Sequence, residues 1–241
     1  MELKSKIAIV TGASSGIGAE FSKMLVENES TVYGLARSKD KLKKLRNDLG
    51  EKFQPVPMDI TDADALEKWV ASTFDANHQP DALINNAGVM YSANVDETTM
   101  DQWHSMINVN LNGIFYLTRL VVPLMKENEN VCHIINISSI AGIMGNPTIS
   151  AYNASKFGVR GFSEALFKEL RYDGIKVTCV FPGSIDTDLF EKIDGVENHP
   201  NMMKTTDISS TVKFLLETDD NYLINEITMR PLNPKNPDAE E

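Results

Sequence analysis

Short runs of β-branched and aliphatic residues recur along this chain, each followed by a helical stretch, and this alternation limits the possible folds more than any other feature. KIAIV at 6–10, TVYGLA at 31–36, FQPVPM at 53–58 and DALIN at 81–85 come first, and VCHIINIS at 131–138, KVTCVF at 176–181 and NEITM at 225–229 follow. Strands separated by helices of ten or more residues connect through right-handed crossovers, which build a parallel sheet covered by helices on both faces. The runs are nearly continuous in apolar character, as strands buried on both faces require. The pattern predicts a doubly wound α/β fold with a seven-stranded parallel sheet.

At 241 residues, with 42% apolar and 24% charged content, the chain fits one large domain better than two small ones. We assign 1–230 to that domain and 231–241, rich in proline and acids, to a C-terminal tail. Residues 186–204 break the strand–helix rhythm beyond a strand's carboxyl end, where open α/β sheets bind ligands, and are read as a substrate lid. A surface insertion without a role has the same composition. The start carries no signal-peptide pattern and no stretch approaches the roughly 20 apolar residues of a membrane span, so a cytoplasmic protein without membrane contact is expected. The net charge of −11 disfavours a nucleic-acid partner. Cys132 and Cys179 have no metal or redox spacing and read as buried free thiols, and His78, His104, His133 and His199 likewise suggest no metal site.

The first strand runs into TGASSGIG, with Gly12, Gly16 and Gly18. Glycines there permit a tight turn, let backbone N–H groups approach a pyrophosphate, and let the next helix pack close to the strand. A plain glycine-rich βα turn uses the same residues, but no Lys-Ser/Thr follows Gly16 as a nucleoside-triphosphate loop would need. At the second strand's end stand Arg37, Ser38 and Lys39. With no carboxylate to repel a 2′-phosphate and Arg37 able to bind one bidentately, NADP(H) is favoured over NAD(H). The alternative is that Arg37 and Lys39 simply begin a solvated basic helix face.

Two tyrosines stand four residues before a lysine, in YNASK at 152–156 and YDGIK at 172–176. On a helix such a pair shares one face. Gly174 marks a helix end and Lys176 begins a strand, so Tyr172 and Lys176 form a decoy. Tyr152 and Lys156 sit instead in the first turns of an amphipathic segment whose ridge is Phe162, Leu166 and Leu170, with Gly158 leaving room for close packing. Ser139 ends the fifth strand, thirteen residues before Tyr152. A strand-end hydroxyl and a phenol on the returning helix can converge on one carbonyl oxygen. Asn108, Asn110 and Asn112 crowd an apolar helical stretch begun by a Thr99–Gln102 capping pattern, which predicts a kink that frees a backbone carbonyl, with Asn108 and Asn112 read as caps of a helix break.

TGASSGIG, MDITD at 58–62, NNAG at 85–88, VNLNGIF at 109–115, ISSIAG at 137–142, YNASK and PGSIDT at 182–187 occur together and in order. Over residues 5–230 the chain resembles the short-chain dehydrogenase/reductase family, and its ending NEITMRP resembles the NADP-preferring branch of 3-hydroxy acid and serine dehydrogenases and carbonyl reductases. The resemblance implies a Rossmann-type oxidoreductase that moves a hydride between NADP(H) and a small hydroxy or oxo substrate. Tyr152 is then the acid/base, Lys156 holds the nicotinamide ribose and lowers the phenol's pKa, Ser139 polarises the carbonyl, and Asn110 anchors a relay water. The same resemblance puts Gly12, Ser14, Ser15, Gly16, Ile17 and Gly18 on the pyrophosphate, Arg37 and Ser38 on the adenosine ribose and its phosphate, and Asp59 with Ile60 on the adenine. Asn86, Ala87 and Gly88 line the adenosine ribose, while Pro182, Gly183, Ile185 and Thr187 meet the nicotinamide; Thr187 could equally start the lid helix. A homodimer or homotetramer pairing the helices at 112–127 and 152–171 is implied too. Met90, Tyr91, Ile140, Met144 and Phe190 suggest a partly apolar substrate pocket, with His199 in the lid. The alternative function is a catalytically silent nucleotide-binding protein of the same fold.

Overall fold

All seven expected strands are present in the computed structural model, which describes residues 1–187 and 198–237. They are β1 (Ile7–Thr11), β2 (Thr31–Ala36), β3 (Phe53–Pro57), β4 (Ala82–Asn85), β5 (Cys132–Ile137), β6 (Ile175–Pro182) and β7 (Glu226–Met229). The helices are α1 (Gly16–Glu27), α2 (Lys39–Leu49), α3 (Ala63–Thr73), α4 (Met100–Ile107), α5 (Gly113–Lys126), α6 (Ser150–Leu170) and α7 (Thr205–Glu217). The strands pair in parallel in the order β3-β2-β1-β4-β5-β6-β7. After β3 the chain crosses back over β1 to begin β4, so the strand order reverses between β1 and β4. A crevice opens at that reversal, outside the strands' carboxyl ends.

Successive strand residues serve opposite cores, as the two-residue period of a pleated strand dictates. Ala8, Val10, Val32, Ile135 and Val180 pack with Phe21 and Leu25 of α1 and Val212 and Leu215 of α7. Their neighbours Ile9, Leu35, Ile134 and Val177 pack on the other face with Leu66 of α3, Val121 of α5 and Leu166 of α6. Among the described residues no helix is long and apolar enough to cross a membrane.

The helix ends follow local chemistry. Asp62 accepts from the Ala65 N–H to cap α3, and Thr99 and Gln102 form a reciprocal capping box on α4. Gly174 takes φ +71° after α6 and its short 3₁₀ extension, which lets the chain turn directly into β6. Between α4 and α5 the helix widens into a π turn over Asn108–Asn112. The predicted irregularity takes the form of this π turn, and Asn108 and Asn112 are not caps: the backbone stays helical through the turn and the Asn112 amide donates to Asn108 Oδ1 at 2.9 Å. One extra residue per turn relieves the crowding without breaking the helix.

Candidate active site

The crevice is a cleft of about 740 Å³ that runs from the glycine loop, past the end of β2, to the first turns of α6. At its start Gly12 and Gly16 take φ values of +69° and +52°. A Cβ on Gly12 would lie 2.9 Å from both the Ala87 Cα and the Asn86 amide nitrogen, so only glycine lets the two loops meet. Ser14, Ser15, Gly16 and Ile17 line the cleft beside it. Gly18 does not: an added Cβ would meet the Gly12 carbonyl oxygen at 2.2 Å, so this glycine seats α1 against the loop and touches no ligand space.

Thr11 secures the neighbouring loop, its hydroxyl accepting from the N–H groups of Asn86 (2.9 Å) and Ala87 (3.0 Å). The Asn86 side chain is also taken up by the scaffold, donating to the Thr11 carbonyl at 3.0 Å. Asn86, Ala87 and Gly88 line the cleft, as do Arg37, Ser38, Asp59 and Ile60. Asp59 already accepts from the Thr61 N–H and hydroxyl, which orients its carboxylate. Lys41 lines the cleft while Lys39 is not among the lining residues, a distinction that spacing alone did not show. Ser38 caps α2, and the first turn of that helix carries Lys41 to the ligand side.

At the far end Ser139, Tyr152 and Lys156 come together, and all three line the cleft. Tyr152 is 7% exposed and Lys156 3%. The Lys156 Nζ donates to the Ile137 carbonyl at 2.9 Å and stands 5.7 Å from the centre of the Tyr152 ring. Burial pushes the Tyr152 phenol up to about 12, opposed by its hydrogen bond with Ser139. Burial also pushes Lys156 down to about 8. Among the protein's own groups burial thus outweighs the Ser139 hydrogen bond and holds the phenol above its ordinary value; the lowering that the resemblance implies would draw on Lys156 together with a bound nicotinamide. Tyr172 is 84% exposed, and Lys176 points away to the carbonyls of Thr218 and Asp219, so the second pair is a decoy.

Asn110 is fully buried and does not line the cleft. Its amide donates to the Val89 carbonyl (2.9 Å) and Ser155 Oγ (3.0 Å) and accepts from the Val89 N–H (2.8 Å). It ties the loop after β4 to α6 with both amide hydrogens and one lone pair of its oxygen. Pro182, Gly183, Ile185 and Thr187 line the cleft as well. The Thr187 hydroxyl makes a long 3.4 Å bond to the Ile185 carbonyl, and its role as a helix start concerns residues outside those described.

Met90 and Ile140 line the cleft, whereas Tyr91, Met144 and His199 are not among the lining residues. Phe190, and with it residues 188–197 of the segment read as a lid, lie outside the described residues. A chain of buried amides and hydroxyls beneath the site had no sequence signal. Asn85 donates to Thr118 and Asn136, and Asn136 donates to Ser163, joining β4, α5, β5 and α6.

A family model described as short chain dehydrogenase matches residues 6–198. An uncharacterized oxidoreductase of Staphylococcus aureus strain MRSA252 is 36% identical over 234 residues, covering 95% of this chain and 99% of its own. One of Staphylococcus epidermidis is 30% identical over 232 residues, covering 96% and 99%. Among solved structures, the closed form of a serine dehydrogenase complexed with NADP⁺ superposes with a TM-score of 0.84 at 27% identity, covering 92% of this chain and 94% of its own. A 3-ketoacyl-(acyl-carrier-protein) reductase of Brucella melitensis complexed with NADH shares the fold, with a TM-score of 0.87 at 24% identity over 95% and 98% of the two chains. With its ordered motifs in one cleft and a family model spanning most of its length, the chain belongs to the short-chain dehydrogenase/reductase family of oxidoreductases.

Proposed function

We propose that this oxidoreductase uses NADP(H) to interconvert a carbonyl and an alcohol on a small hydroxy or oxo compound, with Tyr152 as the acid/base. One observation carries the proposal: a strand-end hydroxyl, a buried phenol and a buried ammonium gather at one end of a cleft whose other end is a glycine cradle. The residues present fit a pyridine dinucleotide. Gly12 lets the loop after β4 pack against the first loop, Gly88 lines the cleft with the place of its missing Cβ 3.6 Å from Lys156 Nζ, and Gly16 and Ile17 bring the first turn of α1 to the cleft. Arg37 and Lys41 supply positive charge beside the end of β2, where Asp59 is the one lining carboxylate among the described residues, and this favours NADP(H). The serine dehydrogenase neighbour bound to NADP⁺ supports the same preference.

The reduced nicotinamide, when bound, supplies the hydride. Ser139 donates to the substrate carbonyl and Tyr152 gives its proton to the oxygen, and a phenol held protonated by burial suits that reductive direction. For the reverse reaction Tyr152 must lose its proton, which asks for a positive charge beyond Lys156 in the closed site. We place the protein in the cytoplasm as a homodimer or homotetramer, with the exposed Phe115 of α5 and Phe157 of α6 supporting helix pairing between copies.

NADPH oxidation across a panel of aldehydes, ketones and 2- and 3-oxo acids tests this. Wild type should turn over at least one class, Tyr152→Phe should lose it by about 10³-fold or more with NADPH affinity nearly unchanged, and Tyr172→Phe should match wild type. Tight NADPH binding without any turnover would favour the silent binding protein, and equal losses from both tyrosine variants would defeat the assignment.

A further inference from the structure

Tyr152, Asn153, Ser155 and Lys156 send their side chains to four different places. Tyr152 faces the cleft, Ser155 donates to the Tyr152 carbonyl (2.8 Å) and receives Asn110, and Lys156 reaches the Ile137 carbonyl. Asn153, 7% exposed, turns to the loop 139–149 that separates β5 from α6. Its amide nitrogen donates to the carbonyls of Ala141 (2.7 Å) and Met144 (2.8 Å), and its amide oxygen accepts from the Asn146 N–H (3.1 Å). One planar group thus holds three backbone groups of a single loop.

Ala141 links this clamp to the chemistry. Its carbonyl receives Asn153, while its N–H donates at 3.2 Å to Ser139 Oγ, the hydroxyl that is hydrogen-bonded to Tyr152. The path Asn153–Ala141–Ser139–Tyr152 closes on adjacent residues of one helix. The loop does not hold its shape by local preference. At its far end Thr148 takes φ +62°, a strained conformation for a β-branched residue, and is held by the Ala93 N–H on its carbonyl (2.7 Å) and by Ser92 on its hydroxyl (3.1 Å).

We infer that Asn153 is a positioning residue: by fastening Ala141, Met144 and Asn146 to α6 it holds the Ser139 hydroxyl where it and Tyr152 reach the same substrate oxygen. This rests on the roles proposed above for Ser139 and Tyr152. The side-chain type is specific, because an aspartate would set a carboxylate against the Ala141 and Met144 carbonyls, and an alanine would leave all three loop groups unpaired. The loop itself carries no ionisable side chain. Among the described residues, the charged or titratable groups on the elements packed against it are Tyr152 and Lys156 on α6, Arg230, which donates to the Met144 sulfur at 3.5 Å, the exposed Asp101 and His104 of α4, which meets the loop through Met106, and Tyr91, Asp96 and Glu97 of the segment that holds Thr148.

The test compares wild type, Asn153→Ala and Asn153→Asp by amide hydrogen exchange, NADPH binding by fluorescence, and kcat between pH 5.5 and 8.5 on whichever panel compound wild type reduces. Asn153→Ala should speed exchange across 141–146 by about tenfold or more while sparing the rest of α6. It should also cut kcat by roughly 10–100-fold, with NADPH affinity within about twofold. For Asn153→Asp the ratio of its kcat to that of wild type should rise as pH falls, since a protonated carboxyl regains one donor. If the alanine variant does not fold, that pH ratio within one protein decides. Unchanged exchange, a pH-independent ratio, or a loss of NADPH affinity equal to the loss of kcat would overturn the inference. Absence of turnover in wild type sinks the functional proposal together with this role, whereas wild-type activity with an unaffected Asn153→Ala sinks this role alone.

Discussion

Arg37 shows how much rests on a single side chain. It stands exposed at the carboxyl end of β2, followed by the α2 cap Ser38 and, in the first turn of α2, by Lys41. A guanidinium and an ammonium on the same cleft wall recognise a phosphate and gain little from a bare 2′-hydroxyl. Charge-assisted hydrogen bonds contribute about 1.5–3 kcal/mol each, so Arg37→Ala should weaken NADPH by roughly 10–100-fold and NADH by less than about twofold. Titrations of both cofactors against wild type and variant check this, and equal losses would show that Arg37 serves the helix face instead. The tyrosine pair was decided at this scale too: the i,i+4 spacing was common to both, and Gly174, adopting φ +71°, is what separates Tyr172 from Lys176.

Glycine decides how the elements approach one another, and two glycines on different helices test it in opposite directions. Gly18 in the first turn of α1 has the Gly12 carbonyl oxygen 2.2 Å from where a Cβ would be, and backbone cannot swing aside as a side-chain tip can. Gly18→Ala should cost about 1–3 kcal/mol and loosen the cofactor loop with it. Gly161 in α6 has nothing within 4 Å of that position, so Gly161→Ala should stabilise by about 0.5–1 kcal/mol through helix propensity alone. Urea unfolding midpoints report both, and a destabilised Gly161→Ala would mean that this face, which Gly161 shares with Phe157, is covered by a second copy. The elements themselves were legible because each strand is a compact apolar run and the starts of α2, α3 and α4 carry side-chain caps. The clamps were not. Asn85 and Asn136 lie 51 positions apart and meet only through the β4–β5 register, and Asn153 meets a loop whose shape no periodicity encodes.

For the whole molecule, the site is legible to the extent that topology forces it: parallel strands place every carboxyl end on one side, so motifs ending different strands must share one cleft. What topology leaves silent is the interior between strands, where His133 of β5 carries a consequence for the stability of the entire fold. It is 1% exposed, beside Lys176 in the β5–β6 register. Thr178 donates its hydroxyl to the Ile224 carbonyl at 2.7 Å, so at 2.8 Å it must accept from His133 Nε2, which fixes the proton there. Nδ1 is left bare and without a partner among the described residues. Burial, reinforced by Lys176, pushes the imidazole down to about 3. The unfolded chain takes up a proton near 6.5 that the folded one refuses, so folded-state stability is complete above about 6.5 and declines as pH falls toward 3, by about 1.4 kcal/mol per unit. At pH 5 the loss should be about 2 kcal/mol. His133→Phe cannot titrate and keeps Thr178 satisfied by Ile224. Every other ionisable group is shared, so the stability difference between wild type and variant should shift toward the variant by that amount between pH 7.5 and 5. A difference that stays constant across the two pH values in urea unfolding would mean that His133 is protonated in the folded sheet, with Nδ1 supplied by an acceptor such as a buried water.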